Sequence, residues 1–244
     1  MRSIRSTTRV APGLLFVEGP LSNWTVFHGD GAVELVDCGY PADRPLVEES
    51  IRFAGADPAD LKRILITHGH SDHLGASAQF AAELGVVVAA APSELPNVRR
   101  DVTEQVSVAD LLPSALKRGT VRWAIAAVRA GGLGDVGVRD AVALEGDEVT
   151  LSTGHTLQLV PAPGHTTGSV CFFEPTSRAL LTGDAIVTGH PLLRESGELQ
   201  QLPAFFQHDP DEAALSARRL VLCDAEVVLP GHGPLVAFPA SARP

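Results

Sequence analysis

Residues 64–75 read Ile-Leu-Ile-Thr-His-Gly-His-Ser-Asp-His-Leu-Gly, which puts His68, His70, Asp72 and His73 within six positions. Three of the nine histidines in the chain fall in this one stretch. Imidazole and carboxylate at such density form a donor set for divalent cations, zinc first, with iron and manganese also suited to it. Side chains alternate along an extended segment, so His68 and His70 point to one side. Ser71 is placed to cap a helix, which puts Asp72 and His73 in the first helical turn, pointing elsewhere. The motif can therefore offer two histidines to one ion and an Asp–His pair to a second.

Three later positions share the same layout. An apolar run at 157–160 leads through Pro-Ala-Pro-Gly into His165, one at 179–181 through Thr182-Gly183 into Asp184, and one at 227–229 through Pro230-Gly231 into His232. Each is a buried-strand pattern, a Gly or Pro turn, and then a His or Asp at the carboxyl end. That end of the strands is where open α/β folds place their ligand sites.

The elements that must position these groups follow from the apolar pattern. Residues 13–19, 24–30 and 32–39 read as three short strands, 44–54 as a helix, 64–67 as a strand, 72–84 as a helix stopped by Gly85, and 86–92 as a buried strand. Residues 93–133 carry a helical pattern closed by Gly131-Gly132. Strands return at 147–151, 155–161, 169–175 and 178–183. Asp209-Pro210-Asp211-Glu212 is a capping box that opens a helix running to about residue 222, and 225–231 is the last strand. Strands in two batches, each finished by helices, predict an α/β fold: an αββα sandwich of two mixed β-sheets with flanking helices. It is expected to be a single domain over 1–244, with a helical insertion at about 93–133. That insertion is apolar enough to act as a lid, which favours a hydrophobic acyl or ring substrate.

The composition narrows the partners. The chain has 244 residues, 45% apolar and 20% charged, with a net charge of −10. An acidic chain of this kind lacks the basic surface that nucleic acid demands. No signal peptide and no run of membrane-spanning length is evident, so a cytoplasmic location without membrane attachment is expected. Cys38, Cys171 and Cys223 are odd in number and far apart, which suits buried reduced thiols better than a disulfide or a zinc site. A small-molecule substrate is the expected partner, and homo-oligomerisation stays open.

Together, "THGHSDHLG", "PAPGHTTGS", "LTGD" and "LPGHG" resemble, in order, the HxHxDH, His, Asp and His motifs of the metallo-β-lactamase superfamily, and "VDCG" around Asp37 resembles its early Asp motif. The resemblance spans about residues 13–233 and implies the same αββα fold. Carried over position by position, it implies that His68, His70 and His165 hold one divalent metal ion, that Asp72, His73 and His232 hold another, and that Asp184 bridges them. Asp37 then orients a ligand. Asp72 and Asp184 also act as the catalytic carboxylates, because they offset the charge of the two ions. The implied reaction is hydrolysis by a metal-bridged hydroxide.

Departures from the subfamilies bear on the substrate. Asp184 stands where true zinc β-lactamases carry cysteine or serine. The sequence ends twelve residues after His232, without the C-terminal helical domain of the otherwise similar glyoxalase II group. The loop after Asp184 lacks the tyrosine of the homoserine-lactone lactonases, the only tyrosine being Tyr40. What remains is a small-molecule ester, thioester or lactone hydrolase. The alternatives are a mono-iron enzyme like the persulfide dioxygenases, a β-lactam or phosphodiester hydrolase, or a regulatory protein with a relic site. His190 and Arg194 are candidate substrate contacts. His28 and His155 read as turn residues without a role, and Trp24 and Trp123 as packing residues.

Overall fold

A computed structural model describes residues 2–107, 119–193, 195–221 and 223–237. Its centre is a pair of sheets. The first has seven strands in chain order: β1 (Ser6–Ala11), β2 (Leu14–Glu18), β3 (Asn23–Gly29), β4 (Ala32–Val36), β5 (Leu61–Ile66), β6 (Val87–Ala90) and β7 (Val142–Ala143). Its first four strands pair antiparallel, and β4 to β7 pair parallel. The second has six strands, ordered β13 (Val236–Ala237), β12 (Val227–Pro230), β11 (Ala179–Gly183), β10 (Val170–Glu174), β9 (Thr156–Pro161) and β8 (Glu148–Thr150). There only β11 and β12 run parallel. Both sheets are mixed, as the two batches of strands predict.

The apolar runs are continuous because the inner strands are buried on both faces. Leu14, Phe16, Phe27 and Leu65 point from the first sheet toward Leu157, Phe172, Leu181 and Leu229 of the second. Their neighbours Leu15, Val26, Leu35 and Ile64 point the other way, onto Val47 and Ile51 of helix Arg44–Ala54 and onto Phe80. On the far side, Cys171, Leu180 and Val228 pack with Leu220 of helix Pro210–Leu220. The order helix, sheet, sheet, helix is the predicted sandwich.

Several boundaries differ from the sequence reading for physical reasons. The helix expected over 72–84 is two helices, Ser71–Leu74 and Ser77–Leu84. The His73 carbonyl, which a continuous helix would give to residue 77, instead accepts the Cys38 N–H at 2.9 Å. Ser71 is the first helical residue and not the cap. Gln105 Oε1 accepts its N–H at 3.0 Å and its hydroxyl at 2.7 Å, capping the helix from a distant segment. Within 93–133, helices occupy Leu95–Val98 and Thr120–Arg129. Residues 99–107 are largely irregular, and the middle of the expected insertion, 108–118, lies outside the described residues. The expected cap at Asp209 is present, its carboxylate accepting the Asp211 and Glu212 N–H groups. His28 lies within β3 and not at a turn. Cys38 and Cys171 are buried free thiols and Cys223 is a half-buried one. Among the described residues, no helix is long and apolar enough to cross a membrane.

Phe172 is fully buried between the two sheets. Phe172→Ala is expected to remove about 3–5 kcal/mol of stability, measured by denaturant unfolding. A loss below about 1 kcal/mol would mean that the sheets do not pack through this residue.

Candidate metal centre

Four strands of the two sheets end at one place. β5 delivers Thr67 and His68, β9 leads to His165, β11 delivers Asp184, and β12 leads through Gly231 to His232. Backbone hydrogen bonds tie these ends together: the Val170 N–H donates across the sheets to the Thr67 carbonyl at 3.0 Å, and within the second sheet the Gly231 N–H donates to the Gly183 carbonyl at 2.8 Å. Asn23, at the start of β3, donates its side-chain N–H groups to the Pro230 and Gly233 carbonyls, which fixes the loop carrying His232. A Cβ at Gly231 would stand 2.3 Å from Asp184 Oδ1 and 2.6 Å from His73 Cε1, so the chain passes this close only as glycine.

All seven predicted ligands meet here. Donor atoms of His68, His70 and His165 lie within 4.8 Å of one another, as do those of Asp72, His73 and His232 and those of His68, His73 and Asp184. Asp184 spans the two triads that the sequence reading proposed. Its Oδ1 is 3.3 Å from His73 Nε2, and its Oδ2 is 3.5 Å from His165 Nε2 and 3.2 Å from His232 Nε2. Asp72 Oδ2 is 3.3 Å from His232 Nε2.

Each histidine has one ring nitrogen bound to a protein oxygen, and this sets the other. His73 Nδ1–H donates to Asp37 Oδ2 at 2.7 Å. His232 Nδ1–H donates to the Leu21 carbonyl at 2.8 Å, and His165 Nδ1–H to Gln207 Oε1 at 3.0 Å. His70 is reversed, its Nε2–H donating to the Glu104 carbonyl. The Thr67 hydroxyl donates to Asp37 Oδ2 at 2.8 Å, so toward His68 it can only accept, and the proton of that 3.1 Å contact is on His68 Nδ1. In the neutral tautomers that these bonds select, five ring nitrogens face inward: Nε2 of His68, His73, His165 and His232, and Nδ1 of His70, the last 3.1 Å from His165 Nε2. His68 Nε2, His73 Nε2 and Asp184 Oδ1 are buried without a hydrogen-bond partner. Orphaned acceptors of this kind are costly in a protein interior unless a cation receives them. The residues fit a divalent metal.

The electrostatics divide the five histidines into two groups. Burial drives His68 far below the usual imidazole range, aided by the neighbouring histidines, and takes His70 down to about 3. Burial also lowers His165. For His73 and His232 burial acts downward too, but the carboxylates outweigh it. His73 rises well above the usual range through Asp184, Asp37 and Asp72, and His232 to about 10 through Asp184 and Asp72. Both carboxyls are held well below theirs, because His73 and His232 outweigh burial. In the metal-free protein His73 and His232 therefore keep both ring protons beside Asp72 and Asp184, and a metal ion would take their Nε2 lone pairs by displacing those protons.

Sequence reading missed the groups that hold the ligand loops together. Glu94 is fully buried, and its carboxylate accepts four hydrogen bonds: from Gly69 N–H and Asn97 Nδ2, and from Thr166 Oγ1 and Gly168 N–H. Gly69 separates His68 from His70, and Thr166 follows His165, so this one side chain ties both loops of the first triad. Burial pushes its pKa up, against those four bonds. Glu104 repeats the device, its carboxylate accepting the Thr167 N–H and hydroxyl while its carbonyl holds His70. Glu94 follows strand β6 as Asp37 follows β4, and that strand-end placement is a signal that could have found it.

Above the ligands lies a cavity of about 430 Å³. His190 lines it, its ring centroid 5.1 Å from that of His232. Tyr40 also lines it, which the sequence reading gave no role, and so does Trp123, which is more than a packing residue. Arg194 lies outside the described residues. His28, His155 and Trp24 are not among the groups brought together here: His155 packs against Phe27 and Trp24 donates to Ser50.

Asp37→Asn removes the acceptor that fixes the His73 tautomer. It is expected to weaken zinc binding by about 10- to 100-fold with unchanged circular dichroism, measured by competition with a chromophoric chelator. Unchanged affinity would remove Asp37 from the site.

The comparisons with known proteins agree with this geometry. Residues 17–232 match the family model described as metallo-beta-lactamase superfamily. The chain is 27% identical over 210 residues to a probable metallo-hydrolase, YflN, of Bacillus subtilis, covering 82% of this chain and 74% of that protein. It is 25% identical over 130 residues to the hydroxyacylglutathione hydrolase GloC of Haemophilus influenzae, covering 53% of this chain and 52% of that one. Among solved structures, a metallo-beta-lactamase family protein of Thermus thermophilus superposes with a TM-score of 0.67 at 26% identity, over 94% of this chain and 76% of the other. With the motif order, the two mixed sheets and the ligand geometry in agreement, this chain belongs to the metallo-beta-lactamase superfamily.

Proposed function

We propose that this chain is a dinuclear metal-dependent hydrolase that cleaves a small-molecule ester, thioester or lactone. The observation that carries the reading is the convergence of donor atoms from five histidines, buried Asp184 and part-buried Asp72 in overlapping groups, beneath a cavity with mostly apolar walls. His68, His70 and His165 would hold one ion, Asp72, His73 and His232 the other, and Asp184 both; zinc suits this set best. Two such ions, when bound, supply Lewis acidity toward a carbonyl oxygen and a water of lowered pKa.

The chain's own residues do the rest. Asp37, Glu94 and Glu104 hold the ligand loops in place before substrate arrives, so little reorganisation accompanies the reaction. Asp72 and Asp184 set the net charge at the floor of the cavity. His190 stays neutral, because burial takes its pKa down to about 3. Its Nδ1 accepts the Leu192 N–H at 3.2 Å, so the hydrogen it has to offer a bound carbonyl is on Nε2. Tyr40 is kept protonated by burial and by Asp72 and Asp184, and is a second donor on the wall. Similarity to a hydroxyacylglutathione hydrolase supports placing thioesters in the substrate panel.

Elemental analysis of the purified protein, joined to a panel of thioester, ester, lactone, β-lactam and phosphodiester substrates, tests the reading. Two zinc or manganese ions per chain with turnover of an acyl substrate is the expected result. One iron per chain would move the chemistry to a redox enzyme like the persulfide dioxygenases, and a metal-free, inactive protein would leave a relic site. Asp184→Ala is expected to lower metal occupancy and turnover by orders of magnitude. Full activity in that variant would end the two-ion reading.

A further inference from the structure

The wall of the cavity is unlike its floor. Helix Thr120–Arg129 presents Val121, Ile125 and Val128 along the cavity, and all three are about half exposed: 54%, 47% and 48%. They recur at the i, i+4, i+7 spacing of one helix face. Leu133, just beyond, lines the same cavity and is 67% exposed. Large apolar side chains gathered like this on a soluble surface mark a binding site. The neighbouring apolar surface, Trp123 of the same helix included, is buried. Trp123, Leu202 and Phe206 form a packed cluster, with the rings of Trp123 and Phe206 edge to face at 5.7 Å. The floor between these walls is His70, Asp72, His165, Asp184 and His232.

A cavity of about 430 Å³ suits a small molecule and not a folded partner. Its occupant has to be apolar along the helix and polar at the floor. The one charged side chain on the described part of the wall is Arg129, which disfavours a cationic occupant. We propose that this cavity binds the uncharged apolar acyl group of an ester or thioester along helix Thr120–Arg129, with the scissile carbonyl at the Asp72–Asp184 floor. The proposal rests on the hydrolytic reading for the carbonyl's fate, but the acyl site stands on the wall alone.

Two measurements on the purified protein test it separately from that reading. The first is kcat/KM for p-nitrophenyl acetate, butyrate, hexanoate and octanoate. Each fully buried methylene is worth about fourfold, and a half-open wall is expected to give at least about tenfold from butyrate to octanoate. The second needs no turnover: titration with octanoate and with butyrate ions, read by tryptophan fluorescence, since Trp123 lines the cavity and Trp24 is buried elsewhere. Octanoate is expected to bind at least about tenfold more tightly. Ile125→Glu, at an exposed position, is expected to abolish that preference, whereas Leu215→Glu, an exposed apolar site on helix Pro210–Leu220, leaves it intact. Equal affinity for the two ions, or a flat chain-length series in an enzyme that hydrolyses the acetate ester, overturns the acyl site while the hydrolase reading stands. Tight octanoate binding lost in Ile125→Glu, with no ester hydrolysed, supports the acyl site and counts against ester hydrolysis.

Discussion

Asp37 follows β4 directly, with its backbone in the left-handed region at φ 58°, a conformation that Asp tolerates better than most residues. From there its buried carboxylate accepts the Thr67 N–H and hydroxyl and the His73 Nδ1–H. One acceptor thereby reaches both triads. It sets His73 directly and sets His68 through the Thr67 hydroxyl, whose single proton is already committed. Were Asp37 neutral or turned away, His73 could expose either nitrogen and His68 would lose the acceptor that fixes its tautomer. Which ring nitrogen His68 and His73 turn inward is thus a hydrogen-bond property of the protein, settled before any ion is considered.

Holding these groups in register is a matter for the two sheets. Parallel pairing of β4 with β5 and of β11 with β12 sets Asp37 beside Thr67 and Asp184 beside the loop of His232. Neither sheet alone carries a complete triad. The first triad draws His165 from the second sheet, and the second draws Asp72 and His73 from the first. Packing of Phe172, Leu181 and Leu229 against Phe16 and Leu65 is therefore also the spacing element of the site. Glu94 does locally what the sheets do globally, joining the His68–His70 loop to the His165 loop through four donors on one carboxylate.

The convergence of the seven candidate ligands was legible in the sequence because each stands at or just after the end of a continuous apolar run, and such runs are visible without a structure. The switch from strand to helix near Ser71 was legible for the same reason. What escaped the sequence is whatever depends on a partner far along the chain. The Ser71 cap comes from Gln105, and the break after Leu74 follows from the Cys38 N–H claiming the His73 carbonyl. Glu94 and Glu104 are two of 29 acidic residues; Glu94 is marked only by its place after the β6 run, and nothing local separates Glu104 from solvated charge. Residues 99–107 show no period because their task is to supply single contacts, the Glu104 carbonyl to His70 and the Gln105 amide to Ser71.

That division also explains why chemistry and substrate are encoded differently. The floor is built from strand ends locked by hydrogen bonds, where displacement of a ligand would forfeit several buried interactions at once. The wall is one surface of a ten-residue helix whose outer side chains remain about half exposed. Replacing Val121 or Ile125 changes little in the core, because neither belongs to the packed clusters formed by the sheets. If the proposed acyl site is right, selectivity can be altered on this helix without disturbing the residues gathered at the floor. A fixed hydrolytic floor beneath an adjustable apolar wall is the arrangement expected of a fold that keeps one reaction and varies what it acts upon.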